Sequence, residues 1–106
     1  MPRRRSCARE KVPAAVGLAW YRRQDYPRIL QVMEDADKLF ATYDHWQKSA
    51  ERTERELKRA GHIVVRAVID PDEFVVWCRM QGLNVDAKAR TRWANEAAVR
   101  RLRGSH

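Results

Sequence analysis

The sequence predicts a small α+β domain with the element order β-α-α-β-α-α, in which two short strands pack with four helices. The chain has 106 residues, and domains commonly contain about 100–150 residues, so a single domain is expected. One segment shows the apolar alternation of a strand, another is a run of β-branched and apolar residues, and helical periodicity follows each of them. We expect the domain to span residues 14–103.

The first strand is predicted at 15–21, where large and small side chains alternate. Val16, Leu18 and Trp20 fall on one face, and the other face carries mainly small residues. A period of two residues is typical of a strand.

Two helices are predicted between the strands. The first begins at Asp25, which is expected to cap it, has Pro27 in its first turn, and carries an apolar stripe as far as Phe40. The second begins near Thr42 and ends at Gly61. Its apolar or small positions, spaced three and four residues apart, are Tyr43, Trp46, Ala50, Thr53, Leu57 and Ala60.

The second strand, at 62–69, is rich in β-branched residues and apolar on nearly both faces. The helix after it is predicted to begin with Asp70 as the cap and Pro71 in the first turn, and to end at Gly82. The last helix is predicted to begin near Asp86.

The pairing of the two strands bears on oligomeric state. A helical hairpin between them favours an antiparallel return of the second strand. An isolated strand pair is marginally stable in water, and an apolar edge at 62–69 would invite aggregation. We therefore expect a homodimer, formed by sheet extension or by helix packing across a two-fold axis.

The net charge of +8 comes from the two ends of the chain. Residues 1–13 hold five basic residues and one acidic residue, residues 84–106 hold six and two, and residues 14–83 hold eleven of each. We expect 1–13 to be a disordered basic arm and 104–106 to be a disordered tail or the remnant of a tag. A neutral body with basic ends favours loose contact with polyanions over a basic recognition face.

Arginine side chains at both ends are candidates for weak, salt-sensitive contact with nucleic acid, because they can neutralise phosphates. Solvated helix ends explain several of them equally well. The candidates are Arg3, Arg4, Arg5, Arg90, Arg92, Arg100, Arg101 and Arg103.

The acidic run Asp70, Asp72 and Glu73 follows the second strand, where α/β proteins often place ligands. Carboxylates there can hold Mg²⁺ for phosphoryl chemistry. A strand-to-helix junction needs the same residues, however, since it uses a capping Asp and acids in the first turn. The structural interpretation is the favoured one.

Several chemistries have no sequence support. Cys7 and Cys78 do not form a disulfide framework, which favours the reducing cytoplasm. No segment approaches the ~18–20 apolar residues of a membrane span, so no membrane association is expected. The chain has neither a glycine-rich phosphate loop nor zinc-ligand spacing. We assign no catalytic residue and expect no cofactor.

Four segments together carry a resemblance to a group of small uncharacterised bacterial proteins of about this length. The segments are GLAWY at 17–21, YDHW at 43–46, HIVV at 62–65, and IDPDEF at 69–74 with Trp77 and Cys78. The resemblance covers most of 16–100. It implies a bacterial cytosolic protein and adds no catalytic residue.

These observations favour a non-enzymatic cytoplasmic protein that acts as an oligomeric interaction module. Two alternatives stay open. One is a basic nucleic-acid-binding accessory protein, and the other is a small metal-dependent phosphoryl-transfer enzyme or nuclease.

Overall fold

Two strands and four helices follow one another in the computed structural model, which describes residues 15–104. The strands are β1 (Ala15–Trp20) and β2 (Ile63–Val68), and the helices are α1 (Tyr26–Val32), α2 (Tyr43–Arg59), α3 (Pro71–Gln81) and α4 (Ala87–Gly104). The α+β class and the order β-α-α-β-α-α are confirmed. Gly104, expected in the tail, is the last residue of α4, and the arm predicted at 1–13 lies outside the described residues.

The two strands are parallel, so the antiparallel return predicted from sequence is wrong. Pairing runs from Ala15 opposite Ile63 to Trp20 opposite Val68. A parallel pair needs a crossover along the length of the sheet. With 17 residues, α2 is about 25 Å long and covers that distance, whereas α1, with seven, spans only about 10 Å. The two helices therefore differ too much in length to form a symmetric helical hairpin. The longer helix, α2, returns the chain to the start of the sheet.

The first predicted helix is shorter than its apolar stripe. It ends at Val32, because Met33 adopts an extended conformation and the amide of Glu34 donates to the carbonyl of Val85 at 2.8 Å. A hydrogen bond to a distant residue thus replaces the hydrogen bond that would continue the helix. The cap predicted at Asp25 is also absent, since the Asp25 carboxylate instead accepts from Arg22 at 2.7 Å.

The other predicted helix boundaries are confirmed. The hydroxyl of Thr42 accepts from the amide of His45 at 3.2 Å and caps α2. Asp70 caps α3, and Gly82 ends it with a left-handed φ of 70°. The carboxylate of Asp86 accepts from the amide of Ala89 at the start of α4.

One face of the sheet carries small residues and packs on α4. Val65 and Ala67 are buried on it, as are Ala94 and Ala98 of α4. Gly17 lies so close to this helix that a Cβ atom built on it would be 1.8 Å from the carbonyl oxygen of Ala94. Small side chains on both elements therefore allow the helix to rest almost on the strand backbone.

The opposite face packs on α2 through aromatic and charged groups. The rings of Trp20 and Trp46 meet edge to face with centroids 5.0 Å apart. Further along α2, Glu54 is only 7% exposed and accepts two bonds of 2.8 Å from Arg66, whose guanidinium also lies over the Trp20 ring. Of the apolar or small positions predicted on this helix, Trp46 and Ala50 are buried. Thr53 is exposed and its neighbour Glu54 is buried instead, because Arg66 neutralises the carboxylate.

Candidate interaction surface

The acidic run after β2 forms a helix cap. One carboxylate oxygen of Asp70 accepts from the amides of Asp72 and Glu73, each at 3.1 Å, and the other lies 3.4 Å from Arg22. Asp72 accepts from Arg28 at 3.2 Å. Among residues 15–104, no group of three or more His, Cys, Asp or Glu side chains is arranged to hold a metal ion. The chemistry of Asp70 in this geometry is that of an N-cap.

Replacing Asp70 by alanine is expected to lower the free energy of unfolding by about 1–2 kcal/mol, because two amides of the first turn lose their acceptor. Asp70→Asn should retain most of the stability, since asparagine also caps helices. Urea denaturation with and without Mg²⁺ measures both effects. Stabilisation of the wild type by Mg²⁺ that disappears in Asp70→Asn would support the metal-site hypothesis instead.

The basic residues of α4 divide into two groups. Arg90 forms two bonds of 2.8 Å with the carboxylate of Asp35, and the two side chains are 12% and 14% exposed. This hydrogen bonding holds the pKa of Asp35 below its ordinary value. Arg90 is therefore part of the protein interior and is not placed for phosphate contact.

The remaining candidates on α4 lie at the surface. Arg92 contacts Glu96 at 3.3 Å and Gln81 at 3.0 Å. Arg100, Arg101 and Arg103 are exposed in the last turns of the helix. Arg3, Arg4 and Arg5 lie outside the described residues. The described part of the basic set thus concentrates at the carboxy-terminal end of α4.

Two sides of α3 differ in burial although both are apolar. Phe74 and Cys78 are fully buried on the inner side, and burial raises the pKa of the Cys78 thiol. On the outer side, Val76 is 51% exposed and Met80 is 78% exposed. Because residues four apart share one helical face, these two side chains form a continuous apolar surface.

The outer side of α3 is shaped as a shallow groove of about 410 Å³, which we call the α3 groove. Its lining residues are Asp72, Glu73, Val76, Trp77 and Met80. The two carboxylates lie in the first turn of the helix and the apolar side chains follow in the next two turns. The groove surface is therefore apolar and begins beside two carboxylates, of which Asp72 already pairs with Arg28.

The floor of the α3 groove is fixed by aromatic packing. Trp77 stacks on Phe74 with ring centroids 5.8 Å apart and meets Trp93 of α4 edge to face at 5.2 Å. The indole nitrogen of Trp93 donates to the carbonyl of Val68 at 3.3 Å. Trp93 is half-buried and connects Trp77 to the end of β2 through this hydrogen bond. The groove floor therefore rests on residues that pack against the core.

No motif in the sequence singles out this surface. The apolar residues from Phe74 to Met80 fall in one predicted helix. The available signal was that apolar residues occupy both the inner and the outer side of α3, which is typical of a helix covered all round.

None of the helices in the part of the chain that the structure describes is long and apolar enough to cross a membrane.

Comparison with known proteins gives a family: residues 3–103 match the model of the Domain of unknown function (DUF8829). No curated protein and no solved structure matches the chain significantly. The match confirms the resemblance to small uncharacterised proteins, and the chain belongs to the DUF8829 family.

Proposed function

We propose that the chain is a non-enzymatic cytoplasmic protein that acts as an interaction module and associates with a second copy through the α3 groove. The observation that carries the proposal is the exposure of Val76 and Met80 beside the half-buried Trp77 on one face of α3. Contiguous apolar side chains at a surface are typical of a contact site. A homodimer is the commonest assembly that covers such a site.

The polar groups near the groove support a binding role over a catalytic one. Asp70 is engaged with the amides of Asp72 and Glu73 as a cap. The thiol of Cys78 is free and fully buried beneath the groove, so a reactant at the surface does not reach it. A free thiol in the core also fits a reducing compartment.

Met80→Glu is expected to raise the dissociation constant of the dimer at least about 100-fold, because a two-fold dimer loses the contact in both chains. Burying a methionine side chain contributes about 1.5–3 kcal/mol, and the substitution replaces that gain with a carboxylate that must lose water. Sedimentation velocity over a range of protein concentrations measures the constant.

Thr53→Glu is the matched control, because it also adds one carboxylate to an exposed position on a helix, in this case α2. It should leave the dissociation constant unchanged. Equal effects of the two substitutions would contradict the α3 groove as the contact site.

A second candidate function, weak binding of nucleic acid, is favoured by the exposed arginines in the last turns of α4. Arg100 and Arg103 border a surface groove of about 400 Å³ together with Glu96 and Val99. Together with Arg3, Arg4 and Arg5 they give the chain two basic ends. Such contacts neutralise phosphates without reading sequence.

Replacing Arg100, Arg101 and Arg103 by glutamine is expected to weaken binding to duplex DNA and to flatten its salt dependence. The slope of log affinity against log salt should become shallower by about 0.9 for each phosphate contact removed. Fluorescence anisotropy at several salt concentrations measures both quantities. Binding by the triple variant that persists near roughly 0.3 M salt would contradict tail electrostatics and indicate a dedicated site.

A further inference from the structure

We propose that the α3 groove is occupied by the carboxy-terminal end of α4 from a second copy, and that two copies exchange this contact reciprocally. The inference rests on the proposed function and names the partner surface. We call that surface the α4 end; it comprises Val99, Arg100, Leu102 and Arg103.

The two surfaces have complementary composition. Val99 and Leu102 are 45% and 49% exposed, although both are large apolar residues. Spaced three residues apart, they lie on one side of α4. Arg100 and Arg103 are exposed beside them. The α4 end thus offers apolar side chains flanked by cations. The α3 groove offers an apolar floor beside the carboxylate of Glu73, whereas Asp72 is paired with Arg28.

An antiparallel approach brings matching groups together. If Val99 packs on Met80 and Val76, Arg103, one turn further along α4, comes close to Glu73 in the first turn of α3. The carboxy-terminal end of α4, with its negative dipole, then lies beside the positive amino-terminal end of α3. Apolar and charged contacts are satisfied in the same register.

Within one chain the two surfaces do not meet. The amino-terminal half of α4 adjoins α3, as shown by the bond from Arg92 to Gln81 and by the packing of Trp93 on Trp77. From there α4 continues as one helix, and Leu102 lies about 14 Å beyond Trp93 along its axis at 1.5 Å per residue. Ala94 and Ala98, buried on the way, hold the helix on the sheet.

A second copy satisfies both surfaces at once. In a two-fold dimer, each chain supplies one α3 groove and one α4 end, so the contact is made twice. The exposed apolar side chains of α3 and α4 are then covered by a single arrangement.

Charge reversal tests the reciprocal pairing. The groove variant carries Asp72→Lys and Glu73→Lys, and the end variant carries Arg100→Glu and Arg103→Glu. Each variant alone sets like charges against each other at both contacts, so its dimer dissociation constant should rise at least about tenfold. In an equimolar mixture both contacts pair opposite charges, and native mass spectrometry should detect the mixed dimer as the main species.

The folding of the groove variant has its own control. Asp72 and Glu73 lie in the first turn of α3, where lysine is unfavourable. If thermal melting shows that this variant is not folded, Glu73→Lys alone replaces it, because Glu73 is exposed and the pair of Asp72 with Arg28 is then kept. The expected mixed dimer is the same.

Each outcome of the mixing experiment decides a different claim. Monomeric variants that form a mixed dimer support the reciprocal contact. Variants that remain dimeric alone, or that stay monomeric when mixed, overturn the reciprocal contact. If the wild type is dimeric in the same experiment, the proposed function stands. A wild-type chain that is monomeric, as it would be if its own amino-terminal segment filled the groove, overturns both.

Discussion

Replacing Gly17 by alanine is expected to lower the free energy of unfolding by at least about 3 kcal/mol, the upper end of the usual cost of overpacking. The added Cβ would lie 1.8 Å from the carbonyl oxygen and 2.4 Å from the carbonyl carbon of Ala94. Both are backbone atoms of α4, so no side-chain rotation relieves the clash. The substitution must separate α4 from β1 and thereby open the buried contacts of Val65 and Ala67.

Thermal and urea denaturation measure this effect. For a domain of this size, a loss of 3 kcal/mol lowers the melting temperature by about 12 °C or more. Gly104→Ala is the matched control, because nothing lies within 4 Å of the added atom. A Gly17→Ala chain whose stability is within about 1 kcal/mol of wild type would contradict the packing of α4 on β1.

Replacing Asp35 by alanine is expected to cost about 3 kcal/mol, since the guanidinium of Arg90 would be left largely buried without its anion. The two side chains join the segment after α1 to α4 through paired bonds of 2.8 Å. Arg90 also lies 3.4 Å from the sulfur of Met33, a core residue. Loss of the carboxylate therefore affects the packing of both elements, and urea denaturation at neutral pH measures the cost.

The exposed ion pair of Arg23 with Asp44 is the control for the effect of burial on the cost of losing a carboxylate. Its side chains are exposed, and Asp44→Ala should leave the free energy of unfolding close to that of wild type. Equal losses in the two variants would contradict a special role for the buried pair.

The contribution of Asp35 depends on pH in a defined direction. Its pKa is lower in the folded chain than in the unfolded chain, because Arg90 stabilises the carboxylate. The stabilisation is therefore complete above the unfolded pKa of about 3.9 and is lost as the pH falls through the folded value. The difference in the free energy of unfolding between wild type and Asp35→Asn should be largest near neutral pH. It should disappear once the pH falls below the pKa of Asp35 in the folded chain.

Local signals in the sequence account for most of the element boundaries. Thr42, Asp70 and Gly82 act at helix ends as their residue types predict, because capping depends on neighbouring backbone groups alone. Alternation of large and small residues predicts β1, and a run of β-branched residues predicts β2. The early end of α1 was not, because the amide of Glu34 bonds to Val85, far away in sequence.

The strand direction and the contact surface depend on the lengths of the helices and on packing between elements far apart in sequence. Neither can be read from the pattern within one segment. A short α1 and a long α2 make the crossover parallel, but the apolar stripe predicted a longer first helix. Likewise, Trp93 of α4 packs on Phe74 at the inner side of α3, and the outer side stays exposed. Sequence periodicity placed Val76 and Met80 in an apolar helix without showing which side the core would cover.

The molar mass of the full-length chain, measured by light scattering across protein concentrations, tests self-association through the α3 groove most directly. We expect the wild type to approach twice the chain mass of 12.5 kDa as concentration rises, and Met80→Glu to stay near the mass of one chain. A wild-type mass of one chain at high micromolar concentration would contradict this self-association.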